Sequence, residues 1–301
     1  MSIVSADESV EDRAGIAEAV RVFEECRRRL FGVAYRMLGS VADAEDVLQD
    51  VWIRWQSTDR SGIREPIAFL TTVTTRLSIN ALNSAHTRRE TYIGPWLPEP
   101  VNTEDDPLLG AERGEALQFA ILILLEKLTP TERAAYVLRE ALDYEYERIA
   151  EILQTSQASA RQLVSRARRH LASEKRVSVP EPDQRRLLEA FLAAAQRGEA
   201  SELEALFAAD VGSWTDGNGV KLAARIPVRG AGRVAKFVAA FSSHFWAGKE
   251  IGWTQINDQP AVTLSQEGRV TTMLTLTASA DGITRLLWVM APEKLSHVEA
   301  A

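Results

Sequence analysis

Cysteine, clustered histidine and long apolar runs are all scarce in this chain of 301 residues. The single cysteine, Cys26, cannot form an internal disulfide, and the four histidines (His86, His170, His244, His297) lack the spacing of metal ligands. No segment approaches the roughly 18 apolar residues of a membrane span, and the N-terminus is acidic where a secretory signal is basic and then apolar. We therefore expect a cytoplasmic protein that uses no metal or cofactor and contacts no membrane.

What is present is the composition of a folded protein, with 46% hydrophobic and 26% charged residues. The length allows two domains of ordinary size, or three small ones. The net charge of −7 argues against a nucleic-acid binder, but charge is unevenly distributed. Residues 156–176 contain six basic side chains and one acidic one. This local basic segment keeps nucleic-acid binding open.

Two proline-bearing connections divide the chain into three modules. Residues 92–110 contain four prolines, which deny the backbone its helical hydrogen bonds, and predict an extended linker. Residues 177–183 contain two more, and the pattern changes there from helices to a mixture of helices and strands.

The first module has the periodicity of three or four helices. Ser40 to Asp43 fits a helix-capping sequence, and the apolar residues that follow recur every three or four positions. The buried stripe predicted for this helix comprises Ala44, Val47, Leu48, Val51, Trp52 and Trp55. A further helix is predicted from Pro66 to a basic end near Arg89.

The second module predicts a helix, a tight turn and a second helix. An apolar helix around 117–127 comes first, and Thr129, Pro130 and Glu132 then form a strong helix start. Segments 146–153 and 156–171 follow, separated only by Gln154 and Thr155. The last helix carries the positive charge, as in a helix-turn-helix.

The third module reads as an α+β domain. Helices come first, and strands are predicted at 251–256, 261–265, 269–277 and 284–290, with turns at 267–268 and 281–282. We expect helices packed on a curved antiparallel sheet.

The outer face of the basic helix suits a DNA major groove, where arginine pairs with guanine or phosphate and glutamine with adenine. A solvated basic surface is the alternative. The candidate DNA-contacting residues are Ser159, Gln162, Ser165, Arg166 and Arg169.

Two segments carry a resemblance to a known family. Residues 128–171 (LTPTERAAYVLREALDYEYERIAEILQTSQASARQLVSRARRHL) resemble region 4 of extracytoplasmic-function sigma factors, which reads the minus-thirty-five promoter element. Residues 43–55 (DAEDVLQDVWIRW) resemble the part of region 2 that docks on RNA polymerase. Gln154 stands where the family commonly has glycine. The resemblance implies two all-α sigma domains, at 15–91 and 111–176, joined by the 92–110 linker.

The resemblance also implies partners. Region 2 would bind the β′ clamp helices of core RNA polymerase and region 4 the β flap, with promoter DNA bound by both. An acidic face beside an exposed isoleucine suits such a docking surface, although an ordinary solvated face has the same composition. The polymerase-binding candidates are Asp43, Asp46, Gln49, Asp50 and Ile53; the candidates for the minus-ten element are Asn80, Asn83, Ser84, His86, Arg88 and Arg89.

A narrower resemblance covers most of the chain. Sigma factors with a SnoaL-like extension, a relative of nuclear transport factor 2, carry Trp-Leu-Pro-Glu-Pro in the linker, present here at 96–100. Two further motifs are present in diverged form. Asp-Gly-Asn-Gly-Val at 216–220 stands for Asp-Gly-Gly-Gly-Lys, with Lys221 displaced by one position, and Ala-Pro-Glu-Lys-Leu at 291–295 stands for Asn-Pro-Asp-Lys-Leu. The third domain would then be SnoaL-like, at 184–298. The implied regulatory residues are Trp96, Leu97, Pro98, Asp216, Gly217, Gly219, Pro292, Lys294 and Leu295.

The favoured hypothesis is a non-enzymatic sigma factor whose C-terminal domain controls it in cis, so that no separate anti-sigma factor is expected. Asp216 could serve as a general base, but its surroundings in sequence are typical of a turn. Two rival functions stay open: a SnoaL-like enzyme fused to a DNA-binding regulator, and a conventional helix-turn-helix repressor.

Overall fold

The structure, a computed structural model, describes residues 4–103, 118–172 and 179–298, with the side chains of 4–14, 85–90 and 120 excepted. The chain forms two compact units: residues up to His86 together with Leu128–Arg168, and Thr87–Lys127 together with Arg169 onward. No helix within the described ranges is both long and apolar enough to cross a membrane.

The first 172 residues contain helices and no strands within the ranges described. The helices are α1 (Val4–Leu38), α2 (Val41–Ser57), α3 (Pro66–Glu90), α4 (Phe119–Leu125), α5 (Pro130–Glu140), α6 (Tyr146–Leu153) and α7 (Gln157–Ala172). Of these, α4 belongs to the second unit, and the others lie wholly or mostly in the first.

Helix α2 begins and packs as its sequence predicts. The Ser40 side chain accepts a hydrogen bond from the backbone N–H of Asp43, and the predicted stripe is buried except for the half-buried Trp52. Trp55 lies in the core and donates its indole N–H to the carbonyl of Ala19 on α1, at 3.0 Å. The two helices are thus joined by packing and by a buried hydrogen bond.

The predicted helix-turn-helix is present. Thr129 and Glu132 form the predicted capping box of α5. Gln154 ends α6 in the left-handed conformation, with φ 53° and ψ 49°, which explains why related sequences favour glycine there. Ser156 then caps α7 by accepting the backbone N–H of Ser159 at 3.1 Å.

Arginine side chains hold α5–α7 against α1–α3. Arg133 is fully buried and donates to the carbonyl of Arg36 at 3.0 Å; burial lowers its pKa to about 9. Arg76 on α3 donates to the carbonyls of Glu151 and Ile152, at the C-terminal end of α6. A cation there donates to carbonyls of the last helical turn and complements the helix dipole.

The second unit contains the mixed α and β domain. Its elements from residue 179 onward are α8 (Glu181–Arg197), α9 (Ala200–Leu206), β1 (Phe207–Asp216), β2 (Val228–Arg229), α10 (Ala231–Ala240), α11 (Ser242–Phe245), β3 (Glu250–Ile256), β4 (Gln259–Gln266), β5 (Arg269–Ser279), β6 (Gly282–Val289) and α12 (Pro292–Leu295).

The six strands form one sheet in the order β2-β1-β6-β5-β4-β3. The α+β domain and the antiparallel meander β3–β6 confirm the sequence prediction. One pair departs from it, because β1 and β6 are parallel. After β1 the chain forms the short strand β2 and then α10 and α11, and it re-enters the sheet as β3 at the edge opposite β2. The meander β3–β6 therefore ends beside β1, and β6 runs in the same direction as β1.

Both faces of this sheet are covered. One face packs against α8–α11 and includes Leu286 and Trp288 of β6. The other includes Leu287 and Val289, because successive strand side chains alternate between faces. That second face contacts Leu97 of the linker and Phe119 of α4. The linker and α4 therefore pack on the C-terminal sheet.

Candidate functional site

The outward face of α7 displays the predicted DNA-contacting side chains. Gln162, Ser165, Arg166 and Arg169 are exposed, and Ser159 is half-buried beside the capping Ser156. The inward stripe of Ala160, Leu163, Val164, Ala167 and Leu171 is buried, as predicted. Spacings of three and four residues put the four exposed side chains on one side of the helix.

Neighbouring helices hold several arginines of α7. Arg166 forms an ion pair with Glu132, with 3.1 Å between Nε and Oε1. Arg168 donates to Glu140 through both Nε and Nη2. Arg161 lies over the ring of Tyr146, 5.3 Å from its centre. Periodicity predicted which residues face outward, but it could not reveal these partners.

The exposed face of α2 contains the predicted polymerase-binding residues. Asp46, Gln49, Asp50 and Ile53 are exposed, and Asp43 is half-buried. Asp46 and Gln49 also line a cleft shared with α1, whose wall includes Val20 and Trp52. Sequence reasoning missed this contribution of α1; the signal was an exposed apolar residue, Val20, beside the core positions Ala19 and Phe23.

On α3 the structure exposes Asn80, Asn83 and Ser84 along one side. The side chains of the other three candidates, His86, Arg88 and Arg89, lie outside the described residues. The three described residues leave amide and hydroxyl groups facing solvent, available to a nucleic-acid strand.

Asp216 is the centre of a second site, at the end of β1. Its carboxylate is fully buried and accepts hydrogen bonds from the Tyr92 hydroxyl at 2.5 Å and from the backbone N–H of Leu97 at 2.7 Å. Lys294 of α12 forms an ion pair with it at 2.6 Å. Burial, followed by the neighbouring carboxylate, raises the pKa of Tyr92, so the phenol stays protonated and keeps donating.

Lys294 holds the same stretch of linker from the other side. Its ammonium donates to the carbonyl of Leu97 at 2.5 Å and lies 4.2 Å from the centre of the Trp96 ring. Both backbone groups of Leu97 are therefore bound, one by the carboxylate and one by the ammonium. The Leu97 side chain is buried in the apolar cluster that also contains Leu295.

Further contacts extend this docking along the linker. Val101 donates its backbone N–H to the side-chain Oδ1 of Asn257 and accepts the backbone N–H of Asn257 at its carbonyl. Thr103 donates its N–H to the carbonyl of Gln255. His297 contacts the carbonyl of Pro100 at 2.8 Å. We call residues 92–103 the docked linker.

The remaining predicted regulatory residues surround this site. Pro98 is buried within the docked linker, and Pro292 is exposed at the start of α12. A side chain on Gly217 would collide with Ala223, and Gly219 has a φ of 88° that favours glycine. These positions shape the loop after Asp216.

The structure favours neither sequence interpretation of Asp216. Its carboxylate is engaged by three donors, so it is unsuited to removing a proton from a substrate. The turn starts one residue later, where Val220 donates to Gly217. The lysine that pairs with Asp216 is Lys294; Lys221 is exposed. Opposite charges in the two motifs were the signal that could have identified this pair.

Lys294→Met is expected to release the docked linker. The change keeps the apolar stem but leaves the Asp216 carboxylate buried without its cation, and breaking such a pair costs about 3–5 kcal/mol. Amide hydrogen exchange at Leu97, Val101 and Thr103 should accelerate by about a hundredfold. Lys221→Met, at an exposed lysine of the same domain, is the control. Unchanged protection in Lys294→Met would contradict the role given to the pair.

Comparison with known proteins identifies the family. Residues 22–88 match Sigma-70 region 2, and residues 118–171 match Sigma-70 region 4. The chain is 40% identical over 234 residues to the ECF RNA polymerase sigma factor SigJ of Mycobacterium tuberculosis, covering 76% of this chain and 75% of that protein. It is 28% identical over 278 residues to the probable ECF RNA polymerase sigma factor SigI of the same species, covering 91% and 93%.

The fold agrees with a solved structure. The crystal structure of the Mycobacterium tuberculosis extracytoplasmic function sigma factor SigJ superimposes with a TM-score of 0.74 and 32% identity. The match covers 92% of this chain and 98% of that one, so it includes the C-terminal domain. The chain therefore belongs to the extracytoplasmic-function family of RNA polymerase sigma factors, which act in transcription initiation.

Proposed function

We propose that this sigma factor is controlled in cis by its SnoaL-like C-terminal domain, which acts by docking the linker between the two promoter-reading regions. The observation that supports this most strongly is the binding of both backbone groups of Leu97 by Asp216 and Lys294. A linker that served only as a flexible tether would have no need of a buried ion pair to hold it.

The start of region 4 gives independent support. The region 4 family match begins at residue 118, and Phe119 of α4 is fully buried in the same apolar cluster as Leu97. The C-terminal domain therefore holds the linker and also the first helix of region 4. Docking at these two places shortens the length of chain that can extend between the regions.

The effect on initiation follows from chain reach. Residues 92–117, which precede region 4, would reach about 90 Å if fully extended at about 3.3–3.6 Å per residue. Residues held on the sheet cannot extend, so they do not add to the distance that the linker can span between regions 2 and 4. Releasing the docked linker would give regions 2 and 4 the chain length to meet two separated promoter elements, once the Arg76 and Arg133 contacts between them also break. Release should therefore activate.

The two sigma regions would contact their partners through the surfaces described above. Helix α7 would read the minus-thirty-five element through Gln162, Arg166 and Arg169, with region 4 on the β flap. The exposed face of α2, including Asp46 and Ile53, would dock on the β′ clamp helices, and the exposed side of α3 would contact the minus-ten element. The C-terminal domain would take the place of a separate anti-sigma factor, in the cytoplasm.

The geometry supports a regulatory C-terminal domain over an enzymatic one. The domain contains a cavity on the sheet face opposite the docked linker, lined mainly by apolar and aromatic side chains, with Thr215 the polar one. None of the residues described as lining it is an acid or a base of the kind that hydrolysis or isomerisation needs.

Arg166→Ala and Arg169→Ala should each weaken promoter recognition. The loss is about 1–3 kcal/mol where the side chain is bidentate to guanine and smaller where it contacts phosphate. Run-off transcription with core polymerase over a range of salt concentrations would measure both effects. Arg269→Ala, an exposed arginine of the C-terminal domain, should behave as the wild type. Wild-type transcription in both α7 variants would exclude this helix as the reader.

Charge reversal on α2, as in Asp46→Lys with Asp50→Lys, should lower affinity for core polymerase. Both side chains are exposed, so the fold should survive while the predicted docking surface loses its acidic character. Asp281→Lys, at an exposed turn of the C-terminal domain, provides a control for the added charge. Retention of polymerase at the wild-type level in a pull-down would refute the assignment.

Truncation tests the proposed control itself. A chain ending at Ala291 loses Lys294 and should transcribe more than the full chain, because the docked linker is released. A chain ending at Pro182 should be inactive, since Leu97 and Phe119 lose the sheet that buries them. The three proteins are compared in one run-off assay with equal amounts of folded protein. Equal activity in all three would show that the domain does not regulate initiation.

A further inference from the structure

Glu132 links the start of α5 to an arginine of the proposed reading helix. Its Oε2 atom accepts hydrogen bonds from the backbone N–H and the hydroxyl of Thr129, at 3.2 Å and 3.0 Å. Its Oε1 atom lies 3.1 Å from Nε of Arg166. The glutamate is buried, with 8% of its side chain exposed, whereas half of the Arg166 side chain is exposed. A fixed anion thus holds one side of a solvent-facing guanidinium.

The arginines near Arg166 lack this arrangement. Arg168 engages Glu140 through Nε and Nη2 together, which occupies one of its terminal nitrogens. Arg169 has no ion-pair partner among the described residues. Among the residues that the structure describes, Arg166 is engaged only on its Nε side, which leaves Nη1 and Nη2 available. Guanine is read by two parallel donors from one arginine, and holding those donors in advance reduces the entropy lost on binding.

We infer that Glu132 is a positioning residue for promoter reading: it orients Arg166 so that Nη1 and Nη2 meet a guanine edge in the major groove. This rests on the proposed role of α7 as the reading helix. Arg169, which is not held in this way, suits a phosphate contact, where direction matters less. Glu132 itself touches no DNA.

Base preference, rather than total affinity, tests this inference. Holoenzyme made from the full chain and core polymerase is incubated with promoter duplexes randomised over the minus-thirty-five element, and the bound duplexes are sequenced. Glu132→Gln should reduce the preference for guanine at one position by about three- to tenfold, part of the value of a bidentate contact. Arg166→Ala should abolish the preference at that same position, and the double variant should match Arg166→Ala.

Two controls separate positioning from stability. Thr129→Ala removes the hydroxyl, but the backbone N–H of residue 129 still donates to Glu132 Oε2 and the ion pair with Arg166 remains. Most of the guanine preference should therefore be kept, even if the melting temperature falls. Glu140→Gln loosens Arg168 and should not alter that position either. Loss of preference in Thr129→Ala equal to that in Glu132→Gln would show a purely structural role and overturn the inference.

The remaining outcomes distinguish this inference from the function on which it rests. Loss of the guanine preference in Arg166→Ala, together with a wild-type base preference in Glu132→Gln, would overturn the inference while leaving α7 as the reader. A wild-type profile in Arg166→Ala would remove Arg166 from base reading and overturn the inference, whereas the transcription test on both Arg166→Ala and Arg169→Ala decides whether α7 is the reader.

Discussion

The arrangement of the second unit depends on the buried ion pair between Asp216 and Lys294. Two charges removed from water are stable only when they face each other and their remaining hydrogen-bonding capacity is satisfied. Here the linker supplies what the pair lacks: the N–H and carbonyl of Leu97, the Tyr92 hydroxyl and the Trp96 ring. The pair without the linker would be two under-solvated charges, and the linker without the pair would keep only its apolar contacts. Each therefore stabilises the other.

The parallel pairing of β1 and β6 brings this pair together. Asp216 is the last residue of β1 and lies in register with Val289 of β6. Parallel strands end at the same edge of a sheet, so the chain leaving β6 begins α12 beside Asp216. The backbone N–H groups of Met290 and Ala291 both donate to the Asp216 carbonyl, which fixes that corner. An antiparallel pair would have sent α12 away from the carboxylate.

Local patterns in the sequence predicted much of the fold. The capping residues Ser40 and Thr129, the buried stripe of α7 and the meander β3–β6 depend on neighbours within a few positions, where periodicity is informative. The ion pair could not be predicted in this way, because Asp216 and Lys294 lie far apart in sequence and meet through a parallel pair that strand patterns do not reveal. The sequence named both Asp216 and Lys294 as regulatory residues, but it did not show that they pair. The same limit applies to Arg133, whose burial depends on a carbonyl of α1.

The central claim is that docking of residues 92–103 controls initiation, and a change at Asp216 alone tests it with the domain intact. Asp216→Asn removes the carboxylate charge while keeping the volume of the side chain, so Lys294 loses its anion and the docked linker loses its main support. The measurement is run-off transcription by core polymerase with the full-length variant, alongside hydrogen exchange at Leu97 on the same preparation. We expect faster exchange at Leu97 together with higher transcription than the wild-type chain. Faster exchange at Leu97 with unchanged transcription would contradict control of initiation by linker docking.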